Sequence, residues 1–438
     1  DLFLPPPPFT MSRITLSASK TWTNLRAGLA LADKRRLVLY GVGGTMVGGL
    51  IVAASTTPNC ESYIYDGVLL PLLHSMGPER AHRLAIAAAS WGIVPKDRSG
   101  DLGRFEDSMA LHLWDITFSG PIGVAAGLDT DARAFPSLFN LGVSHVEVGS
   151  VTPEPQAGNA DSPRAFLLDR DQAVIHRYGQ PSEGCEAVQK RLAAKLESME
   201  GGVVGVNVSI NTGTVDPVAD LVKGIKTLGP HADYLVVNLS SPDVPGLQDL
   251  QKGKRLHEVL KACRGARDGL TSDWVPPLLL KVSSDLSSRE QLEVALAIVH
   301  FGIDGIIVGG GTTAREDMDL LGPYKAEQGA LCGRPYADSN TECIRNMYRL
   351  TRGRVPIIAS GGVMSSLDAY TKIRAGACMV QLHSALTVKG PGIVPRMRRN
   401  LWKRVKEDGF QNVVDAVGAD VPLLQAKEEP KKKRFWLF

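Results

Sequence analysis

Lys281 closes an otherwise apolar run, Leu278-Leu279-Leu280-Lys281. A cation delivered into a protein interior by such a run must meet an anionic or electron-rich partner. The N1/O2 edge of a reduced flavin is one such partner. Asn207 and Asn238, each near the end of another apolar run, add neutral donors and acceptors suited to an amide-like ring. Ser240 and Ser241 come just after Asn238, Ser150 comes just after Gly149, and Ala125, Ala126 and Gly127 end the first run of the series. Glycine groups follow two further runs, Gly309-Gly310-Gly311 and Gly361-Gly362, while His383 and Ser384 follow the last. Backbone N–H groups in such turns, together with a helix N-terminus, hold phosphate.

All these residues stand at the C-terminal ends of short, β-branched apolar runs at 122–126, 145–149, 203–208, 234–238, 278–282, 305–308, 356–360 and 378–382. Continuous hydrophobicity of that kind marks strands buried on both faces. Helix-period stretches at 183–198, 217–228, 289–301 and 367–375 separate them. Eight runs in strict alternation with helices, and no GxGxxG after the first, predict an α/β fold of the (β/α)8 TIM-barrel type over 110–410. Chemistry in such a barrel collects where strands end, which is where these residues lie.

Composition narrows the classes. The 438 residues are 44% hydrophobic and 22% charged, which excludes a disordered or collagen-like chain. A net charge of +3 and 6% aromatics argue against nucleic acid as a partner. Six cysteines (Cys60, Cys185, Cys263, Cys332, Cys343 and Cys378) form no CxxC pair, so they read as buried thiols in a reducing compartment, with no metal site signalled.

Residues 1–36 are basic and rich in Ser and Thr, like the end of a mitochondrial presequence or a matrix segment. Residues 37–54 carry no charge over a length that spans a bilayer, and contain a GxxxG at Gly44 and Gly48 suited to helix packing. Lys34, Arg35 and Arg36 before that span predict that the barrel faces the far side, the intermembrane space if the organelle is the mitochondrion. Residues 60–95 read as an amphipathic helical pair broken at Gly77-Pro78, able to lie in a lipid interface and frame an apolar tunnel. A tail over 411–438 ends in Lys431-Lys432-Lys433-Arg434-Phe435-Trp436-Leu437-Phe438, cations and rings suited to a membrane surface or a protein complex.

The segments GPIGVAAGLD (120–129), VEVGSVTPEPQAGN (146–159), DYLVVNLSSPD (233–243), LLLKVSSD (278–285) and IRAGACMVQLHSALTVKGP (373–391) resemble class 2 dihydroorotate dehydrogenases, the quinone-reducing flavoproteins of pyrimidine synthesis attached to the mitochondrial inner membrane. The resemblance implies FMN at the barrel mouth and a quinone tunnel framed by the helical pair. It implies that Ser241 takes a proton from C5 of dihydroorotate while hydride leaves C6 for FMN. Flavin contacts carried over are Ala125, Ala126, Gly127, Ser150, Asn207, Asn238, Lys281, Gly361, Gly362, His383 and Ser384; His82 and Thr387 fall on the quinone tunnel.

The chain departs from that pattern around the substrate. Thr130 stands for a lysine after the first strand. The family's NRYGFN is His176-Arg177-Tyr178-Gly179-Gln180-Pro181, Asp243 stands for a substrate-binding asparagine, and Gly309-Gly310-Gly311 replace TNT. Leu73, Leu167 and His383 replace the usual Gln, Arg and Tyr toward the quinone. Each charge-assisted hydrogen bond lost from a buried anion site removes about 1.5–3 kcal/mol. A bare Asp243 beside an anionic substrate would add repulsion of about 1–4 kcal/mol at about 4 Å. Three readings follow: a working quinone-linked dehydrogenase with altered contacts, a repurposed fold serving as an accessory subunit of an inner-membrane assembly, or a flavoprotein for a less anionic or cationic substrate.

Overall fold

The computed structural model describes residues 65–97, 107–197, 199, 201–316 and 318–423. The uncharged 37–54 stretch, its GxxxG, Cys60 and the basic-aromatic terminus lie outside them. Among the described residues no helix is long and apolar enough to cross a membrane.

Eight parallel strands close a barrel: β1 (Ile122–Val124), β2 (His145–Val151), β3 (Val203–Val208), β4 (Tyr234–Asn238), β5 (Leu278–Val282), β6 (Gly305–Gly309), β7 (Ile357–Ser360) and β8 (Met379–Leu382). Each pairs with its neighbours in sequence, and β8 returns to β1. Val204, Val206, Val208, Leu235, Leu279, Leu280, Ile306, Ile307 and Ile358 are fully buried, each stabilising the fold by about 1.5–3 kcal/mol. The helices between strands carry explicit starts. Ser287 and Glu290 form a capping box for Ser288–Phe301, and Asp216 caps Pro217–Leu228 with Pro217 at the first turn.

The barrel's lower end is a packed layer. Glycines at 123 and 205 leave the space that the rings of His145 and Tyr234 fill. Trp114 and Phe118, on a two-stranded ribbon (Leu111–Leu113 with Ile116–Phe118), pack against those rings, Phe118 edge-on to His145 and Trp114 tilted against Tyr234, and close that end. Burial holds the His145 pKa down to about 3, so it packs as a neutral ring.

Two additions frame the upper end. A three-stranded antiparallel sheet joins Ala165–Leu168, Ala173–His176 and Ala330–Gly333, the last strand drawn from far along the chain. The helical pair, Leu70–Ser75 after a π-helical turn (Tyr65–Leu69) and then Pro78–Ser90, breaks at Gly77 (φ 83°) as expected. It is tied down by Asp66–Arg396 (2.6 Å), Glu79–Arg164 (2.6 Å) and a bond between His74 Nε2 and the Thr387 carbonyl (3.0 Å). Val68, Leu72, Met76, Leu84 and Trp91 nevertheless remain exposed. Past 411 the chain still belongs to the barrel body, because Val413, Ala416 and Val421 are buried and Asp420 pairs with Arg374.

Candidate functional site

Above the strand ends lies a cavity of about 680 Å³, at the upper part of the range for ligand pockets and roomy enough for a cofactor with a small substrate. Its wall brings together the sequence-selected Ala125, Ala126, Gly127, Ser150, Asn238, Ser241, Lys281, Gly361, Gly362, His383 and Ser384. At its other end stand Glu79, His82, Ile86, Ala87 and Trp91 of the helical pair. Asn207 lies below the wall, and Thr387 offers its carbonyl to His74.

A buried polar network forms the floor. Glu147 on β2, wholly enclosed, accepts from Asn207 on β3 (2.7 Å), Lys281 on β5 (3.3 Å) and Gln381 on β8 (2.6 Å). The protein therefore supplies Lys281 with an anionic partner of its own, Glu147, beside the flavin edge expected to face it. The signal was present: a glutamate inside the apolar run His145-Val146-Glu147-Val148 demands a partner as much as Lys281 does. Glu147 escaped because it sits inside β2 and not at its end, whereas Gln381, one residue from the end of β8 as Lys281 is in β5, carried no charge to mark it.

Parallel register sets Asn238 beside Lys281. Asn238 Nδ2 donates to Ser150 Oγ (2.8 Å) and Ser241 Oγ (3.1 Å), while its Oδ1 accepts from the Ser240 backbone (3.0 Å) and hydroxyl (2.9 Å). Gln180 Nε2 is a second donor to Ser241 Oγ (3.1 Å). Ser241 is thus fixed by two amides, one from the end of β4 and one from the loop that carries Gln180. Two N–H donors on one hydroxyl oxygen stabilise negative charge there.

The rim differs from the expectation for Asp243. Its carboxylate is not bare: Oδ2 accepts from the Gly179 N–H (2.9 Å) and lies 3.8 Å from His176 Nδ1. His176 stacks on Tyr178 (5.7 Å between rings), and its Nε2 lies 3.6 Å from Cys332 Sγ. Burial opposes the His176 cation, but Cys332 and Asp243 outweigh it and raise its pKa to about 9. The repulsion expected of Asp243 is accordingly offset by a neighbouring positive charge. Two other histidines on the wall behave oppositely. Burial lowers His383 to about 3, aided by His176, His82 and Lys281, and burial lowers His82 against the pull of its bond to the Leu128 carbonyl (2.7 Å). Cys332, expected as a buried thiol, is half-buried and faces the cavity, whereas Cys185, Cys263, Cys343 and Cys378 are enclosed.

The donor set fits a flavin mononucleotide on the structure's own terms. Gln180 Oε1 and Gln381 Oε1, on residues that line the cavity, are buried acceptors without a partner. Lys281 directs a single hydrogen bond to Glu147 and keeps further N–H donors near the cavity. Gly361 and Gly362 open their backbone to the same space, with Tyr336 and Ala337 packed close behind them.

Comparison with known proteins places this site in context. The family model for dihydroorotate dehydrogenase matches residues 108–405. The mitochondrial dihydroorotate dehydrogenase (quinone) of Mus musculus is 42% identical over 379 residues, 85% of this chain and 94% of that protein. The corresponding protein of Oryza sativa subsp. japonica is 39% identical over 405 residues (86% and 85%), and dihydroorotate dehydrogenase (quinone) of Azorhizobium caulinodans is 43% identical over 353 (80% and 98%). The crystal structure of ligand-free DHODH from Eimeria tenella superposes with a TM-score of 0.75 at 35% identity, covering 78% of this chain and 99% of that one.

Proposed function

The chain belongs to the quinone-dependent, class 2 dihydroorotate dehydrogenase family, and from that premise we propose that it oxidises dihydroorotate to orotate with FMN as cofactor and a quinone as final acceptor. The observation that carries the reading is the Ser241 hydroxyl, held by Asn238 and Gln180 on the wall of the same cavity as Lys281.

Bound in this cavity, FMN would supply the hydride acceptor for the substrate and the electron relay to quinone. Lys281, Asn238, Ser150 and the turn at Ala125 to Gly127 would hold its ring, and Gly361, Gly362 and Ser384 its phosphate. Ser241 takes the proton from substrate C5, its oxygen stabilised by two amide donors. His176 and Asp243 balance each other's charge beside the substrate. Thr130 keeps a hydroxyl on the cavity wall but supplies no cation, so substrate binding is weaker than a lysine would make it. The quinone approaches between Ile86, Ala87 and His82, and the exposed apolar residues of the helical pair rest in the surface of the mitochondrial inner membrane.

Anaerobic addition of dihydroorotate to the FMN-loaded protein tests this reading. Bleaching of the flavin near 450 nm, restored by a soluble ubiquinone analogue, is the expected result. Flavin that remains oxidised overturns it and favours the accessory-subunit reading, whose support is the altered contacts at Thr130, Gln180 and Gly309 to Gly311.

A further inference from the structure

The rim holds a thiol, Cys332, that the dehydrogenase reaction does not use, beside the His176 and Asp243 pair that flanks the substrate. Antiparallel register opposes Ala330 to His176 and Cys332 to Val174, so His176 and Cys332 emerge diagonally on one face of the small sheet. Diagonal neighbours of this kind lie within reach of long side chains. Cys332 Sγ is 3.6 Å from His176 Nε2, and His176 Nδ1 is 3.8 Å from Asp243 Oδ2. All three residues line the cavity. Nucleophile, base and carboxylate in that order resemble the arrangement that activates a thiol, with Asp243 acting on the ring through its charge at 3.8 Å and not through a hydrogen bond.

Space for the sulfur is built in. A Cβ on Gly311 would lie 2.6 Å from Cys332 Sγ, and Gly311 has φ 95°, so a side chain at 311 is refused on both counts. The Gly309-Gly310-Gly311 run that cost the site its expected polar contacts is therefore what admits the thiol. The Cys332 thiol also donates to the Gly310 carbonyl, 3.9 Å from Sγ. Tyr178 stacks on the imidazole, His383 faces it across the cavity as a neutral ring, and Arg315 and Tyr336 are the other titratable groups that feel Cys332.

The geometry points to Cys332, His176 and Asp243 as a second reactive site in this cavity, a thiol relay that takes α,β-unsaturated carbonyl compounds. The Cys332 sulfur forms a bond to the β-carbon, and the electron pair of the carbon–carbon double bond shifts toward the carbonyl. The α-carbon then receives the proton that His176 Nε2 took from the thiol. Nothing leaves and nothing is oxidised overall, so the step needs no reagent beyond the acceptor. A conjugate acceptor is favoured over an alkylating agent because only the former uses the imidazole proton. The raised pKa of His176 keeps that proton on the ring at neutral pH. Cys185, Cys263, Cys343 and Cys378 provide internal contrast, since burial pushes each up to about 12.

This site stands whether or not dihydroorotate is the substrate, and its test reads adducts rather than turnover. The full chain is treated at pH 7 with N-ethylmaleimide or with iodoacetamide, and adduct formation at each cysteine is followed by peptide mass spectrometry, with glutathione as the free-thiol reference. The expected result is labelling at Cys332 ahead of the four enclosed cysteines, with a maleimide-to-iodoacetamide rate ratio about tenfold or more above that of glutathione. His176→Gln returns the ratio to that of glutathione, and Asp243→Asn lowers it part of the way. Cys263 and Cys378 remaining unlabelled certifies that each variant is folded. If His176→Gln exposes them, the wild-type ratio and Asp243→Asn decide alone. A wild-type ratio equal to that of glutathione, or one unmoved by Asp243→Asn, overturns the proposal.

Discussion

The floor and the rim of one cavity are built on different terms. The floor network of Glu147, Asn207, Lys281 and Gln381 draws one residue from each of four barrel strands, with polar contacts of 2.6 to 3.3 Å. The rim grouping of His176, Asp243 and Cys332 comes from a small antiparallel sheet and a loop, with separations of 3.6 and 3.8 Å. Strand register leaves the floor one arrangement, because a slip by one residue would turn Glu147 or Lys281 out of the barrel. The rim depends on register only through the small antiparallel sheet that carries His176 and Cys332, and its third member, Asp243, comes from a loop that no strand pairing fixes. The floor is thus tied to the barrel strands, whereas the rim is built from segments added above them.

The sharpest way to break this contrast is at the floor. Glu147→Ala strands Lys281 as an uncompensated buried cation, and the expected cost is about 3–5 kcal/mol in unfolding free energy together with loss of bound flavin. Denaturant unfolding and flavin absorbance measure both. A destabilisation below about 1 kcal/mol would mean that the floor is as permissive as the rim.

Next in size is Ser241→Ala. It removes a half-exposed hydroxyl and leaves the core untouched, so thermal stability should hold while dihydroorotate-dependent flavin reduction slows by about 10²- to 10⁴-fold. Rapid-mixing absorbance gives the rate directly. An unchanged rate would transfer the proton-accepting role to another group on the wall.

The rim is then tested as a pair. His176→Asn leaves Asp243 without its counter-charge and should raise KM for dihydroorotate, by an amount set by a repulsion of about 1–4 kcal/mol. His176→Asn with Asp243→Asn returns two neutral amides and should bring KM back below that of the single variant. A double-mutant cycle with no coupling energy would show that the two residues act separately.

The sequence made the barrel legible and hid the rim. Runs such as Val203 to Val208 and Leu278 to Val282 announce strands because nothing else buries both faces of a continuous β-branched stretch. Lys281 was visible as a charge where no charge belongs, and Glu147 carried the same signal within β2. The antiparallel sheet was not visible. Its strands are four residues each, and the one bearing Cys332 follows the one bearing His176 by more than one hundred residues. No local pattern records such a pairing, and without it Asp243 reads as an unanswered negative charge. The helix Gly253–Asp268 was legible only through the alternation of strands and helices, because its outer face is so polar that Leu256, Val259, Leu260, Cys263 and Ala266 alone give it an apolar inner one.

The smallest effect expected is in pH dependence, and its sign separates rim from body. His176 has a folded-state pKa near 9, above its ordinary value of 6.5. The folded protein therefore holds this proton more tightly than the unfolded chain does. Its stabilisation is complete below about pH 6.5 and is lost as pH rises through about 9. Lys372, buried beneath Asn340 and Thr341, works the other way: burial lowers it to about 7, so the unfolded chain binds more protons between about 7 and its ordinary 10.5, and stability rises across that window. The two nearly oppose each other in the wild-type curve, so the informative quantity is the difference between wild type and His176→Asn. That difference should shrink between pH 6.5 and 9 by about 1–3 kcal/mol in unfolding free energy. A difference that stays flat over the range would mean that His176 carries no extra charge at the rim, and that Asp243 faces the substrate unbalanced.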